Sequence, residues 1–105
     1  MIFYPRWLFA AGFTPTSWLT FIRADCRNDI PLHKHEEVHQ RQMREDLTIV
    51  FWMRYLFSRK WRMKYEVEAY KTQIANGASL NVCAIHLSSM YFLGITVDEA
   101  EKLLA

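Results

Sequence analysis

The chain is poor in the residues that punctuate and staple a fold: 105 residues hold three glycines, three prolines and two cysteines. The glycines are scattered, which excludes a glycine-rich phosphate loop. Cys26 and Cys83 have no CxxC spacing, so neither a cysteine zinc framework nor a disulfide scaffold is available, and both are expected reduced and packed. An uninterrupted bilayer-length apolar run is missing as well. Trp7–Phe13 is at the short limit for a signal core and far too short to span, and the longer Leu47–Phe57 carries Arg54 and reads as a core helix. A cytoplasmic chain, soluble or peripherally attached to a membrane and without a transmembrane segment, is expected. Charge is nearly balanced at +2, with acids and bases interspersed, so the concentrated basic face of a nucleic-acid binder is absent. The one basic cluster, Arg59-Lys60-Trp61-Arg62, reads as a solvated turn between helices. No repeat and no low-complexity segment is present.

What the chain does have is apolar substance: 51% hydrophobic and 15% aromatic residues, enough for one domain over residues 1–105 with one buried core. Pro5, Gly12 and Pro15 make the start irregular or partly extended. Ser17–Ala24, with Trp18, Thr20, Phe21 and Ile22, favours a strand. Asp25–Pro31 then supplies loop residues. A helix is expected from Leu32 or His33 to about Phe57, free of Gly and Pro and apolar nearly all round in its second half. Ser58–Lys60 bends or breaks it. A second helix runs from about Trp61 to Ala75, stopped by Asn76-Gly77, and a third from about Ser79 to Phe92. Thr96 and Glu99 form a capping box that opens a last helix through Leu104. The fold class is α+β, mostly helical, with a short strand region before the first long helix.

Chemistry concentrates in His35-Glu36-Glu37-Val38-His39. Two histidines four apart share one helix face, so both imidazoles can reach one ion. Glu36 lies one residue round, placed to take a proton from a metal-activated water and pass it to a leaving amine. That is the HExxH pattern of zinc hydrolases. The alternative is a solvated amphipathic helix that happens to carry histidines. A metal centre needs a further ligand, and Lys64–Lys71 offers two carboxylates. Met63, Val67, Tyr70 and Ile74 form one apolar stripe at 100° per residue. Glu66 falls on the border of that stripe and Glu68 on the solvent side. An antiparallel return through Ser58–Lys60 carries Glu66 back toward the histidines.

HExxH followed on a later helix by Glu66-Val67-Glu68-Ala69-Tyr70 resembles the gluzincin metallopeptidases, in which the glutamate of this second motif is the third zinc ligand. In size and texture the chain is similar to the minigluzincins and to small metallopeptidases of phages and prophages. The resemblance spans about Trp18 to Gln73. It implies a zincin-like domain, zinc held by His35, His39 and Glu66, Glu36 as general base, and a peptide or protein substrate. It also implies that the strand Trp18–Ala24 pairs with substrate by its edge. Tyr70 departs from the pattern, standing where gluzincins often carry an acid that orients a ligand histidine; its own hydroxyl, Asp46 or Asp98 is expected to take that role. Tyr65, Tyr70, Tyr91 and His86 are candidate oxyanion donors, although aromatic residues mostly pack. His33 reads as a flanking loop residue. The second reading, of a different class, is a catalytically inactive, zinc-stabilised protein-binding module. A helical partner-binding domain without metal is the third.

Overall fold

Three short strands and five α-helices form an α+β fold in the computed structural model, which describes residues 1–8 and 10–105. Phe9, inside the apolar Trp7–Phe13 stretch, lies outside the described residues. Strands β1 (Ile2–Phe3), β2 (Gly12–Thr16) and β3 (Leu19–Ile22) make one sheet in the order β1-β3-β2. β3 pairs in parallel with β1 (Ile2 with Thr20) and antiparallel with β2 (Phe13 with Phe21). The strand expected in Ser17–Ala24 is therefore present, but it is central. Both its edges are paired, so it has none to offer a substrate. The edge beside the helices belongs to β2, in the segment expected to be irregular or partly extended. Pro15 is tolerated there because an edge strand need not donate on its open side. Thr20 and Ile22 alternate into the interior from β3, the period of two that a half-buried strand requires.

A 3₁₀ turn (Ala24–Cys26) leads to α1 (Ile30–Asp46). The helix begins earlier than the sequence suggested, because Pro31 sits in its first turn, where a missing N–H costs nothing, and Asp29 caps it by accepting from the Leu32 amide at 3.1 Å. The expected single helix to Phe57 is broken at Leu47, whose backbone turns to φ 65°, ψ 140° and starts α2 (Thr48–Phe57) on a new axis. Ser58 is extended and caps α3 (Arg59–Ala75) by accepting from the Trp61 amide. Then follow α4 (Leu80–Met90), capped by Ser79, and α5 (Val97–Leu104), opened by the complete Thr96/Glu99 capping box.

Helices α1 and α3 pack along each other. Their contacts join His35 to Tyr70, His39 to Glu66 and Asp46 to Tyr65, so the two run antiparallel. One buried cluster (Met43, Phe51, Tyr65) fills the angle between α1, α2 and α3, and another (Tyr70, Cys83, Ala84, Leu87, Leu93, Ala100, Leu104) seats α4 and α5 on α3. The α1–α3 contact between these clusters is where the polar residues of the motif are buried.

Candidate metal centre

His35 and His39 stack on the inner face of α1, and Glu66 enters from α3 between them. His39 Nε2 lies 3.0 Å and His35 Nε2 3.3 Å from the same oxygen, Glu66 Oε1. One ligand atom from each of the three residues lies within 4.8 Å of the others, so the group can hold a metal ion. An ion with bonds of 2.0–2.1 Å in a tetrahedral field keeps its ligand atoms about 3.3 Å apart, close to the 3.0 and 3.3 Å that separate Glu66 Oε1 from the two imidazole nitrogens. The set is buried: His35 is 4% exposed, His39 7% and Glu66 2%. Glu68 is exposed, as the helical wheel implied.

Outer contacts settle the geometry of each ligand. The Gln42 amide nitrogen donates to the Tyr65 carbonyl at 3.0 Å and to Glu68 Oε1 at 3.2 Å. Its oxygen is thus the atom that faces His39 Nδ1 at 2.9 Å, and Nδ1 carries the proton. That leaves His39 Nε2 as the nitrogen available to an ion. Glu66 is divided in the same way: Tyr55 donates to Oε2, and Oε1 is left to the histidines. His35 is oriented by packing instead, its ring edge-on to Tyr70 with centroids 4.4 Å apart, and its Nδ1 has no partner among the described residues.

The electrostatics follow from burying a carboxylate between two imidazoles. Burial opposes the charged form of His39, but the Glu66 charge and hydrogen bond outweigh it and lift the imidazole to about 9. Burial likewise pushes Glu66 upward, and the charge of His39 with hydrogen bonds from both histidines wins, holding it below the usual carboxylate range. Burial, then the nearby Glu66 charge, drive the Tyr55, Tyr70 and Tyr91 hydroxyls upward, so these groups stay neutral donors.

Glu36 is 5% exposed and faces the sheet. Thr14 Oγ1 on β2 donates to Glu36 Oε2 at 2.8 Å. Thr14 has one proton, so it must accept from Thr20 (2.9 Å), and Thr20 in turn accepts from the Gln40 amide (2.8 Å). The relay Gln40–Thr20–Thr14 thus ends on Glu36 with every donor direction fixed. Gly12 makes room for it: a Cβ there would stand 2.6 Å from Glu36 Oε1.

The remaining sequence candidates fall outside the cluster. Asp46 accepts from Tyr65 at 2.7 Å and pairs with Arg54, and Asp98 is exposed on α5, so neither acid replaces the one missing at Tyr70. Gln42 serves His39 instead. Tyr65 is spent on Asp46, Tyr70 and Tyr91 share a hydroxyl contact of 2.6 Å, and His86 is exposed on α4. His33 lies within α1 rather than in a loop, against the Arg27 carbonyl. Cys26 and Cys83 are free. Tyr55, Gln42, Thr14 and Gly12 contact the cluster or Glu36, and none of them was singled out by the sequence. Gln42 was findable, three residues after His39 and on its face. No protein-family model, curated protein or solved structure matches the chain.

Proposed function

We propose that the chain is a zinc-dependent metallopeptidase of the gluzincin kind, with His35, His39 and Glu66 as ligands and Glu36 as general base. The convergence of His35 Nε2 and His39 Nε2 on Glu66 Oε1, at 3.3 and 3.0 Å and away from solvent, carries this reading. Two imidazoles and a carboxylate suit zinc, which in such sites keeps a position open and supplies an electrophile that polarises a carbonyl and acidifies water. The chain's own residues do the rest. Gln42 keeps His39 in one tautomer, and Tyr55 directs Glu66 to present a single oxygen. Glu36, held by Thr14, takes the proton of the attacking water and returns it to the leaving amine. The edge of β2, beside Glu36, is where an extended peptide would pair.

One observation favours the second reading, a zinc-stabilised binding module without turnover. Glu36 is as buried as the three residues of the cluster, which leaves a substrate no exposed carboxylate to meet. Elemental analysis of the purified chain, and of the chain refolded with zinc, tests what both readings share; absence of zinc from both preparations overturns them. Cleavage of an unfolded protein or a peptide library by the zinc-loaded chain, abolished in Glu36→Gln, separates the first from the second.

A further inference from the structure

The two most exposed large apolar side chains away from the site are Phe57, 84% exposed, and Phe92, 92% exposed. They are brought to one side of the molecule by Arg62, whose guanidinium donates to the Tyr55 carbonyl (2.7 Å) at the end of α2 and to the Tyr91 carbonyl (2.7 Å). Arg59 closes the same junction, its Nη1 3.6 Å from the Cβ position of Gly94. Phe92 stands on a left-handed backbone, φ 53°, a conformation that costs free energy in a non-glycine residue and here holds an aromatic ring in water.

Phe57 continues along α2. Ile49, Met53, Leu56 and Phe57 are all exposed and fall within one stripe about 100° wide at 100° per residue. Phe51, Trp52 and Tyr55 occupy the opposite side and are consumed by the core. The helix therefore has one apolar face turned inward and another turned out. Toward the Phe57 end of that face the charge is basic, while Glu45 and Asp46 precede its Ile49 end. From Leu47 to Tyr65 the chain holds five bases (Arg54, Arg59, Lys60, Arg62, Lys64) and no acid. Arg54 is paired with Asp46 and Arg62 is spent on carbonyls, but Arg59 and Lys60 are exposed and have no acidic partner among the described residues.

We propose that this face, with Phe57 and Phe92 as wedges and Arg59 and Lys60 as their flank, docks on an anionic lipid surface. A bilayer interface takes apolar side chains to the depth of the acyl boundary while bases meet the headgroups, the combination that this junction presents. Two phenylalanines could also stack on bases, but the face continues over the non-aromatic Ile49, Met53 and Leu56, apolar surface that base stacking does not use and an acyl boundary does. No helix of the described residues is long and apolar enough to cross a membrane, so the chain lies on the surface rather than through it.

The test is co-sedimentation of the full chain with vesicles of phosphatidylcholine, with and without phosphatidylserine. Binding is expected to the anionic vesicles only, and to fall with added salt. Arg59→Gln with Lys60→Gln should weaken it about 25-fold, since each base near an anionic surface contributes about fivefold. Phe57→Ser and Phe92→Ser, both at exposed positions, should each weaken it roughly tenfold or more. Failure to bind anionic vesicles overturns the proposal, as does binding that the phenylalanine variants leave unchanged. A stable dimer in light scattering that Phe57→Ser dissolves assigns the face to a second copy instead, and retention of single-stranded RNA or DNA without vesicle binding assigns it to nucleic acid.

Discussion

His39 Nδ1 donates to Gln42 Oε1 at 2.9 Å, and the Gln42 amide is itself held by the Tyr65 carbonyl and Glu68. A glutamine with both ends committed fixes the imidazole's tautomer and its plane. Partners of this kind are worth about 10–100-fold in metal affinity. Gln42→Ala should therefore weaken zinc binding by that factor in a competition titration with a chromogenic chelator, without loss of helical signal. An unchanged affinity would show that packing alone orients His39.

The two carboxylates of α3 should separate cleanly in the same titration. Glu66→Gln replaces the buried charge that both histidines face, and its loss should exceed the roughly 100-fold typical of outer partners. Glu68→Gln keeps an oxygen for Gln42 and Arg41 and should change affinity little. Equal losses would mean that the network around Gln42, rather than the Glu66 ligand, dominates.

Metal removal is a stability test as much as a binding test. The ligands come from two helices, so an ion bound there clamps α1 to α3 and binds only the folded chain. At a hundredfold excess over Kd this stabilises by about 2.7 kcal/mol. A chelator should lower the Tm of the zinc-loaded protein by several degrees, and re-added zinc should restore it. A melt insensitive to complete removal would place the ion, if one binds, elsewhere.

The meeting of His35, His39 and Glu66 was legible in the sequence because helical geometry is local. His35 and His39 are four apart, and the stripe Met63–Ile74 ranks Glu66 above Glu68 without tertiary information. Tyr55 was not legible. It lies sixteen residues after His39, which on a straight helix is about 24 Å further along. The break at Leu47 folds that length back, so that Phe51 meets the His39 ring and Tyr55 reaches Glu66. No Gly or Pro marks the break; packing against α3 overrides local propensity there. The sheet was half legible for a similar reason. Thr20 and Ile22 show their alternation within β3, but β1 and β2 owe their extended form to pairing with β3, and Pro5, Gly12 and Pro15 left that segment open between irregular and extended.

Leu47 stands in a backbone region that favours glycine, at φ 65° and ψ 140°, and its side chain is largely exposed. Such a residue stores about 1–3 kcal/mol of strain, while glycine adds about 0.5–1 kcal/mol of unfolded-state entropy. Leu47→Gly should raise stability by about 1 kcal/mol in urea denaturation. Leu47→Ala keeps the Cβ and should give no gain. A destabilised glycine variant would show that the Leu47 side chain packs in solution more than its exposure implies.

Catalysis and metal binding part at Glu36. Its carboxylate accepts from Thr14 and makes no contact that the ligand set needs, so Glu36→Gln keeps the side-chain shape and removes only the base. Zinc content and Tm should match the parent, while peptide cleavage falls by about 10²–10⁴-fold. Thr14→Val deletes the hydrogen bond that orients the carboxylate and leaves the base in place; it should lie between parent and Glu36→Gln in cleavage and match both in zinc. His39→Ala should lose metal and cleavage together. These variants become informative once the zinc-loaded parent cleaves an unfolded protein or a library peptide. If it cleaves none, and Glu36→Gln binds the same partners with the same affinity, Glu36 is a buried structural acid bridging α1 to β2. The zinc then serves to join α1 to α3 and not to activate water.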